Sequence, residues 1–496
     1  MDHREKTIII LAAAVMVRII FWMTTPVTGD ACFHYSVSRY IAETHEIPSF
    51  EYQSGPNPFW WPPLFHILTA AIFKLTGILT LSPLIFSIAG LVLFHIFVKE
   101  FYPKIATESL LILSFLPLHL YYSSIGYFET LLFLLSVASY HFYFRHLAKK
   151  GGISLAYAVI AAGLSALTHY HGLIPLLAIS SHLFLTDRRR GLTFLMIGLL
   201  IASPWYARNY LVFGNPIWPK VHPGYYPDDI AVQSPPLTQN ILNLASPTRW
   251  IGVFFDFWIG APNSGEDFAD NVAIGSRRFP LFMPAMMIWL ASILAFSLLA
   301  KKGFIHMRKD GRMGFMLLVL LACLVPFMMN NLARMFISFS PFIIIAIASG
   351  YQRIDNRFKT IALAVGLMLL TIGSYGYSYT YRQINSGYQP FFQKIRDQVG
   401  LEKVIMPFNI QDCIYHTGRH CVRIGSTGGI PKINVENIDE IIRDHDIGYV
   451  CCSSMHWDAV PEDEKSICER YGQEKATINY VNQDVWGRCW DVNART

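Results

Sequence analysis

The chain has 496 residues, 53% of them hydrophobic and 15% charged, a formal net charge of +6, and apolar residues gathered in long uncharged blocks. That pattern describes a polytopic membrane protein, and so small a positive balance, placed in short loops, is a topology signal and not a footprint of nucleic acid. No GxxxxGK[ST] loop, no GxGxxG after a strand, no HExxH and no Gly-x-Ser-x-Gly elbow occurs, which sets aside P-loop and hydrolytic chemistries.

The first apolar run, 7–25, is broken only by Arg18 and is too long for a signal-peptide core, so it reads as a membrane helix. Arg18 is expected to face the bundle interior and pair there. The run gives way to Gly29-Asp30-Ala31-Cys32-Phe33-His34-Tyr35, an acid among aromatics where hydrocarbon should end. Phe33, Val37, Tyr40 and Ile41 then recur at helical spacing with Ser36, Arg39 and Glu43 between them, which predicts an amphipathic helix on the outer surface with Asp30 at its head. Asp30 suits two tasks there: capping the helix, or acting on a lipid-linked substrate at the membrane surface.

Residues 62–76 are apolar but few, open on Pro62-Pro63 and carry His66 and Lys74, so they read as a helix lying in or against the outer leaflet. Candidate spans follow at 81–98, 105–122, 130–144, 153–168, 173–185, 192–206, 280–300, 314–329, 335–350 and 360–377. The intervening stretches 99–104, 145–150, 187–190, 301–312 and 352–359 are rich in Lys and Arg and alternate with less basic loops. The alternation predicts about eleven spans, a cytoplasmic N-terminus and an extracytosolic C-terminal domain. The outer side then collects the first loop 27–80, the turn 123–129, His169-Tyr170-His171, the long loop 213–279 and the turn 330–334.

Several polar residues on that side could carry chemistry. Glu129 follows Gly126-Tyr127-Phe128 in a turn between spans, where an acid is costly to ionise unless it is paired or faces water. Arg334 stands in a short turn, and its guanidinium there suits a lipid phosphate gripped by two hydrogen bonds, or simple snorkelling to headgroups. His169 and His171 sit at the outer end of another span as potential donors to a phosphate or acceptor, and are a weak metal signal. Pro204-Trp205 and Gly214-Asn215-Pro216 are expected to break the helix that carries Arg208, a second candidate for phosphate contact beside an interfacial aromatic belt.

The tail, 380–496, reads as a small α/β domain that follows a transmembrane domain over residues 1–379. It has an amphipathic run at 391–399, strands at 403–406, 422–424, 448–452 and 486–492, and a helix at 437–444. Six of the eight cysteines lie in it without zinc-site spacing, which suits disulfides if the tail faces an oxidising side.

Together these segments resemble the GT-C superfamily of membrane glycosyltransferases, which includes protein O-mannosyltransferases, aminoarabinose transferases and the catalytic subunit of oligosaccharyltransferase. The likeness rests on Gly29-Asp30-x-x-x-His34-Tyr35, the outer-leaflet helix opening Pro62-Pro63-Leu64, and Gly126-Tyr127-Phe128-Glu129. It is extended by Thr168-His169-Tyr170-His171-Gly172-Leu173, by Pro204-Trp205-x-x-Arg208-Asn209-Tyr210 with Gly214-Asn215-Pro216, and by Arg334. The resemblance implies a mainly α polytopic fold and inverting transfer of a sugar from a polyprenyl or dolichyl phosphate. The acceptor would be a glycan, lipid or protein on the extracytosolic face. It makes Asp30 the base or acceptor-positioning acid and Glu129 a second acid that orients acceptor or metal, with the substrate met by His34, Tyr35, His169, His171, Arg208 and Arg334.

The chain also departs from the family. Glu129 is single where oligosaccharyltransferases carry Asp-x-Glu, Asp30 is single where many mannosyltransferases carry Asp-Glu, and His169 stands for a typical Lys. The cofactor is therefore unspecified, with a divalent metal at Asp30 and Glu129 left open. A transporter or flippase of lipid-linked sugars is the alternative, and would be expected to gather polar residues at mid-membrane and to show pseudo-repeats. A non-catalytic anchor for the tail leaves Asp30 and Glu129 without a task.

Overall fold

The computed structural model describes residues 3–48 (26 and 28 apart), 59, 61–149, 153–216, 250, 257–258, 282–308, 311–329, 333–354, 363–373 and 375–376. Towards the C-terminus it describes 387–400, 403–406, 410–419, 421–423, 436–444, 447–454, 462–482 and 485–492. Most of the long loop 213–279, and residues 330–332 of the late turn, lie outside them.

Helices dominate. Helix α1 (His3–Thr24) is followed by α2 (Asp30–Thr44), α3 (Leu64–Thr76), α4 (Ser82–Phe101), α5 (Ala106–Phe115) and α6 (Pro117–Tyr122). Then come α7 (Glu129–Leu147), α8 (Ser154–Thr168), α9 (Leu173–Thr186) and α10 (Arg188–Phe213), followed by α11 (Phe282–Met307), α12 (Met313–Met329), α13 (Ser340–Gln352) and α14 (Leu363–Gly373). Four helices among the described residues are long and apolar enough to cross a membrane, and shorter apolar helices stand beside them. Their outward side chains, such as Ile9, Met16, Ile96, Met196, Leu200 and Leu321, are exposed, as helices facing hydrocarbon require.

Two local devices explain departures from simple spans. The predicted span 105–122 is split, because Pro117 holds Leu116 extended (φ −71°, ψ 121°) and cannot donate to a carbonyl in the preceding turn. Arg18 fills the gap. From α1 its guanidinium donates to the carbonyls of Ser114 (2.9 Å), Leu113 (3.2 Å) and Ala14 (3.3 Å), and to Ser87 Oγ (2.9 Å), and it is 1% exposed. The expected break at Pro204 does not occur: α10 continues through it to Gly214, whose positive φ of 68° ends the helix. The carbonyl of Leu200, the one that Pro204 leaves unsatisfied, instead accepts the hydroxyl of Ser203 at 2.8 Å. Helices α11 and α13 cross so closely that a Cβ on Gly303 would lie 1.7 Å from the Ala346 carbonyl oxygen.

The C-terminal domain folds around a five-stranded sheet, β1 (Lys403–Met406), β2 (Cys421–Arg423), β3 (Ile447–Ser453), β4 (Ile478–Asn482) and β5 (Val485–Asp491), in the order β2-β1-β3-β5-β4. Strands β2, β1 and β3 run parallel, while β5 pairs antiparallel with both β3 and β4. Helices α15 (Gln389–Gln398) and α16 (Ile410–Thr417) cover one face, and α17 (Ile438–Asp444) with α18 (Glu462–Gly472) the other. Cys451 and Cys452, adjacent on β3, point to opposite faces, so Cys451 bonds its cross-strand neighbour Cys489 while Cys452 reaches Cys468 on α18. Cys413–Cys421 ties α16 to β2, and all six tail cysteines are thereby paired.

Candidate functional site

The site forms where α2 begins. Its cap is Gly29 at φ 57°, without a side-chain capping bond, and Asp30 is the first helical residue with its side chain exposed. Capping is therefore not what its carboxylate does. Phe33 and Val37 pack on Phe59 and Trp205, as the amphipathic reading expects. Ala31, Cys32, His34, Tyr35 and Ser38 are buried as well, so α2 is not a one-faced surface helix. It lies between α3 and α16, with Arg39, read as part of its polar face, over the Tyr415 ring at 5.7 Å.

Each residue of Gly126-Tyr127-Phe128-Glu129 has a separate partner. A Cβ on Gly126 would lie 2.5 Å from the Tyr35 ring, so only glycine lets that ring close over the turn. Tyr127 lies under the Arg334 guanidinium at 5.6 Å. Phe128 stacks on His169 at 3.8 Å. Glu129 has no exposed surface, its carboxylate makes no hydrogen bond among the described residues, and its Oε1 stands 3.8 Å from Arg334 Nε. Asp30 acts electrostatically on Glu129, Tyr127 and Arg334, and Arg334 acts on His34. Asp30, His34, Glu129 and Arg334 thus converge, joined by Tyr127, which the sequence shows as part of the 126–129 motif but not as a site residue.

Behind them is an aromatic wall. His34 Nδ1 and His66 Nε2 are 2.9 Å apart, and burial holds both imidazoles well below their ordinary range, so one neutral ring donates to the other. Trp61 packs on His34 and on His169, and His171 meets His169 edge-on at 4.2 Å. Tyr35, its hydroxyl 3.4 Å from the Thr80 carbonyl, is wholly buried as a packing element. Arg208 donates to the Phe59 carbonyl and to Asn209 Oδ1 and lies over Trp205.

Asp412 was not legible as a site residue. From α16 it reaches the loop before α2, accepting the Gly29 N–H at 3.2 Å and the Cys32 thiol at 3.5 Å. Burial pushes its carboxyl up to about 6, which the Gly29 and Cys32 hydrogen bonds oppose and Asp30 reinforces. Nearby, Thr25, Val27, Gln389, Gln393, Arg396 and Tyr415 line a cleft that His416 completes.

No family model and no curated protein sequence matches the chain. Among solved structures, ArnT from Cupriavidus metallidurans in the apo state matches with a TM-score of 0.66 at 12% identity, over 97% of this chain and 97% of that one. The same protein bound to undecaprenyl phosphate matches with 0.65 at 11%, over 98% of each. The apo oligosaccharyltransferase of Archaeoglobus fulgidus gives 0.55 at 12%, over 90% of this chain and 69% of that one. Both neighbours are GT-C glycosyltransferases.

This chain has the GT-C fold.

The GT-C likeness covers nearly the whole chain, so the C-terminal sheet belongs to it along with the helices. A divalent cation at Asp30 and Glu129, which the GT-C resemblance leaves open, does not fit the residues present. The Arg334 guanidinium already faces the Glu129 carboxylate and supplies there the positive charge that a cation would bring.

Proposed function

We propose that the chain is an inverting glycosyltransferase that moves a sugar from a polyprenyl or dolichyl phosphate to an acceptor on the extracytosolic face. About eleven spans, a cytoplasmic N-terminus and an extracytosolic domain from about residue 380 complete the reading. The observation that carries it is the convergence of exposed Asp30 with buried Glu129 and its partly buried partner Arg334 at the head of α2. The fold shared with a protein captured on undecaprenyl phosphate supports the donor class.

In this reading the donor phosphate meets Arg334, whose charge offsets the negative charge growing on the departing oxygen. Glu129 acts as a positioning residue: it has no exposed surface and holds the guanidinium at one depth. His169 and His171 line the adjoining wall as donors. Asp30 takes the proton of the acceptor hydroxyl as that oxygen attacks the anomeric carbon opposite the phosphate. A new carbon–oxygen bond forms as the old one breaks, the electron pair leaves with the polyprenyl phosphate, and one displacement inverts the configuration.

The test is to incubate the purified chain with a polyprenyl phosphate carrying a radiolabelled sugar and a mixture of candidate acceptors. Time-dependent passage of label from the lipid to a water-soluble or protein-bound product, with release of unlabelled polyprenyl phosphate, is expected. Label that crosses vesicle membranes while still attached to lipid, with no product, would replace this reading with the flippase one.

A further inference from the structure

We propose that Cys32, Asp412 and His416 bind a zinc-class divalent cation that fastens the C-terminal domain onto the loop carrying Asp30. One donor atom from each lies within 4.8 Å of the other two, although Asp412 and His416 are remote in sequence from Cys32. The spacing is close to that of a metal shell. Cys32 Sγ and Asp412 Oδ1 stand 3.5 Å apart, and zinc–sulfur and zinc–oxygen bonds of about 2.3 and 2.0 Å at a tetrahedral angle place two donors about 3.5 Å apart. Thiolate, imidazole and carboxylate together select zinc-like ions over magnesium or calcium, which take oxygen shells.

One observation points to a missing positive charge and a second to an available sulfur donor. Asp412 is 3% exposed, and among the described residues no Lys or Arg pairs with it; its carboxylate accepts from backbone N–H groups and from the Cys32 thiol. A carboxylate buried in that way is costly unless a cation joins it. Cys32, wholly buried, is also one of only two free cysteines, while the six in the tail are consumed in disulfides.

Binding displaces the Cys32 thiol proton to solvent, and the ion's two charges are balanced by the thiolate and the Asp412 carboxylate, with neutral His416 as third ligand. Three protein donors leave a fourth position for water. Asp30 is two residues from Cys32 and acts electrostatically on both Cys32 and Asp412, so the ion would fix the turn from which Asp30 projects. These residues differ from the Asp30 and Glu129 pair rejected above. Cation binding here does not depend on sugar transfer, and its readout is metal binding alone.

The experiment uses the full chain in detergent with its disulfides intact. Titration with Co2+ is expected to saturate at one equivalent, with a thiolate-to-cobalt charge-transfer absorption that Zn2+ then displaces. Cys32→Ser should abolish that band, Asp412→Asn and His416→Gln should weaken binding by an order of magnitude or more, and Cys323→Ser should change nothing. Should Cys32→Ser fail to fold, X-ray absorption of the zinc-loaded wild type decides the matter: one sulfur neighbour at about 2.3 Å is expected. No cobalt band, a band that survives Cys32→Ser, or a zinc shell of nitrogen and oxygen alone overturns the proposal and leaves Cys32–Asp412 and His416–Val27 as separate hydrogen-bonded contacts.

Discussion

Glu129 faces Arg334 at 3.8 Å with no water-exposed surface of its own, so the guanidinium is the charge that offsets its burial. Glu129→Gln removes the anion and leaves the partly buried guanidinium without its counter-charge, an imbalance that costs about 1–3 kcal/mol. The expected result is a raised KM for the lipid donor together with reduced turnover, read in steady-state kinetics. Arg334→Lys keeps the charge but loses the planar fork, and transfer is expected to fall about tenfold or more, with Arg334→Gln lower still. Gly126→Ala pushes a methyl into the Tyr35 ring, and a loss of about 1–3 kcal/mol is expected as a lowered thermal transition.

The elements divide into those whose cause is local and those whose cause is distant. Helices α2 and α3 and strands β1, β2, β3 and β5 follow apolar periodicity, and their observed bounds fall within a few residues of the expected ones. Helix α16 was missed although Cys413, Ile414 and Thr417 recur at helical spacing before Gly418, which closes it at φ 66°. Even with that helix in hand, nothing in the sequence aims Asp412 at Gly29, 383 positions away. Pro117 and Pro204 were equally visible, yet one splits its span and the other does not. The difference lies in what reaches the freed carbonyls, Arg18 in one case and Ser203 in the other. Arg18→Met is expected to lower stability by about 3 kcal/mol or more by stranding the carbonyls of Leu113 and Ser114. Adding Pro117→Ala should recover some of that loss, because the restored N–H can bond Leu113 again. Equal losses in the single and double variants would contradict this coupling.

Across the whole molecule, exposed Ile, Leu, Met and Phe side chains clothe the helices, and the C-terminal domain, with its three disulfides, packs its helix α16 against α2. The proposed topology sets both on one side of a membrane, with the turn at Asp187 on the other. In intact cells, a membrane-impermeant maleimide is expected to label Glu469→Cys on α18, whereas Arg189→Cys should react only after lysis. The reverse pattern would place the candidate site on the cytoplasmic face.

Most of the proposed chemistry depends on Asp30, an exposed carboxylate that heads a buried helix without capping it. The measurement that tests it most directly is the initial rate of sugar transfer from a radiolabelled polyprenyl phosphate by wild type and by Asp30→Asn, purified side by side and matched in thermal stability. Loss of the general base predicts a rate lower by about 100-fold or more. A folded Asp30→Asn protein that transfers sugar at the wild-type rate would contradict the account.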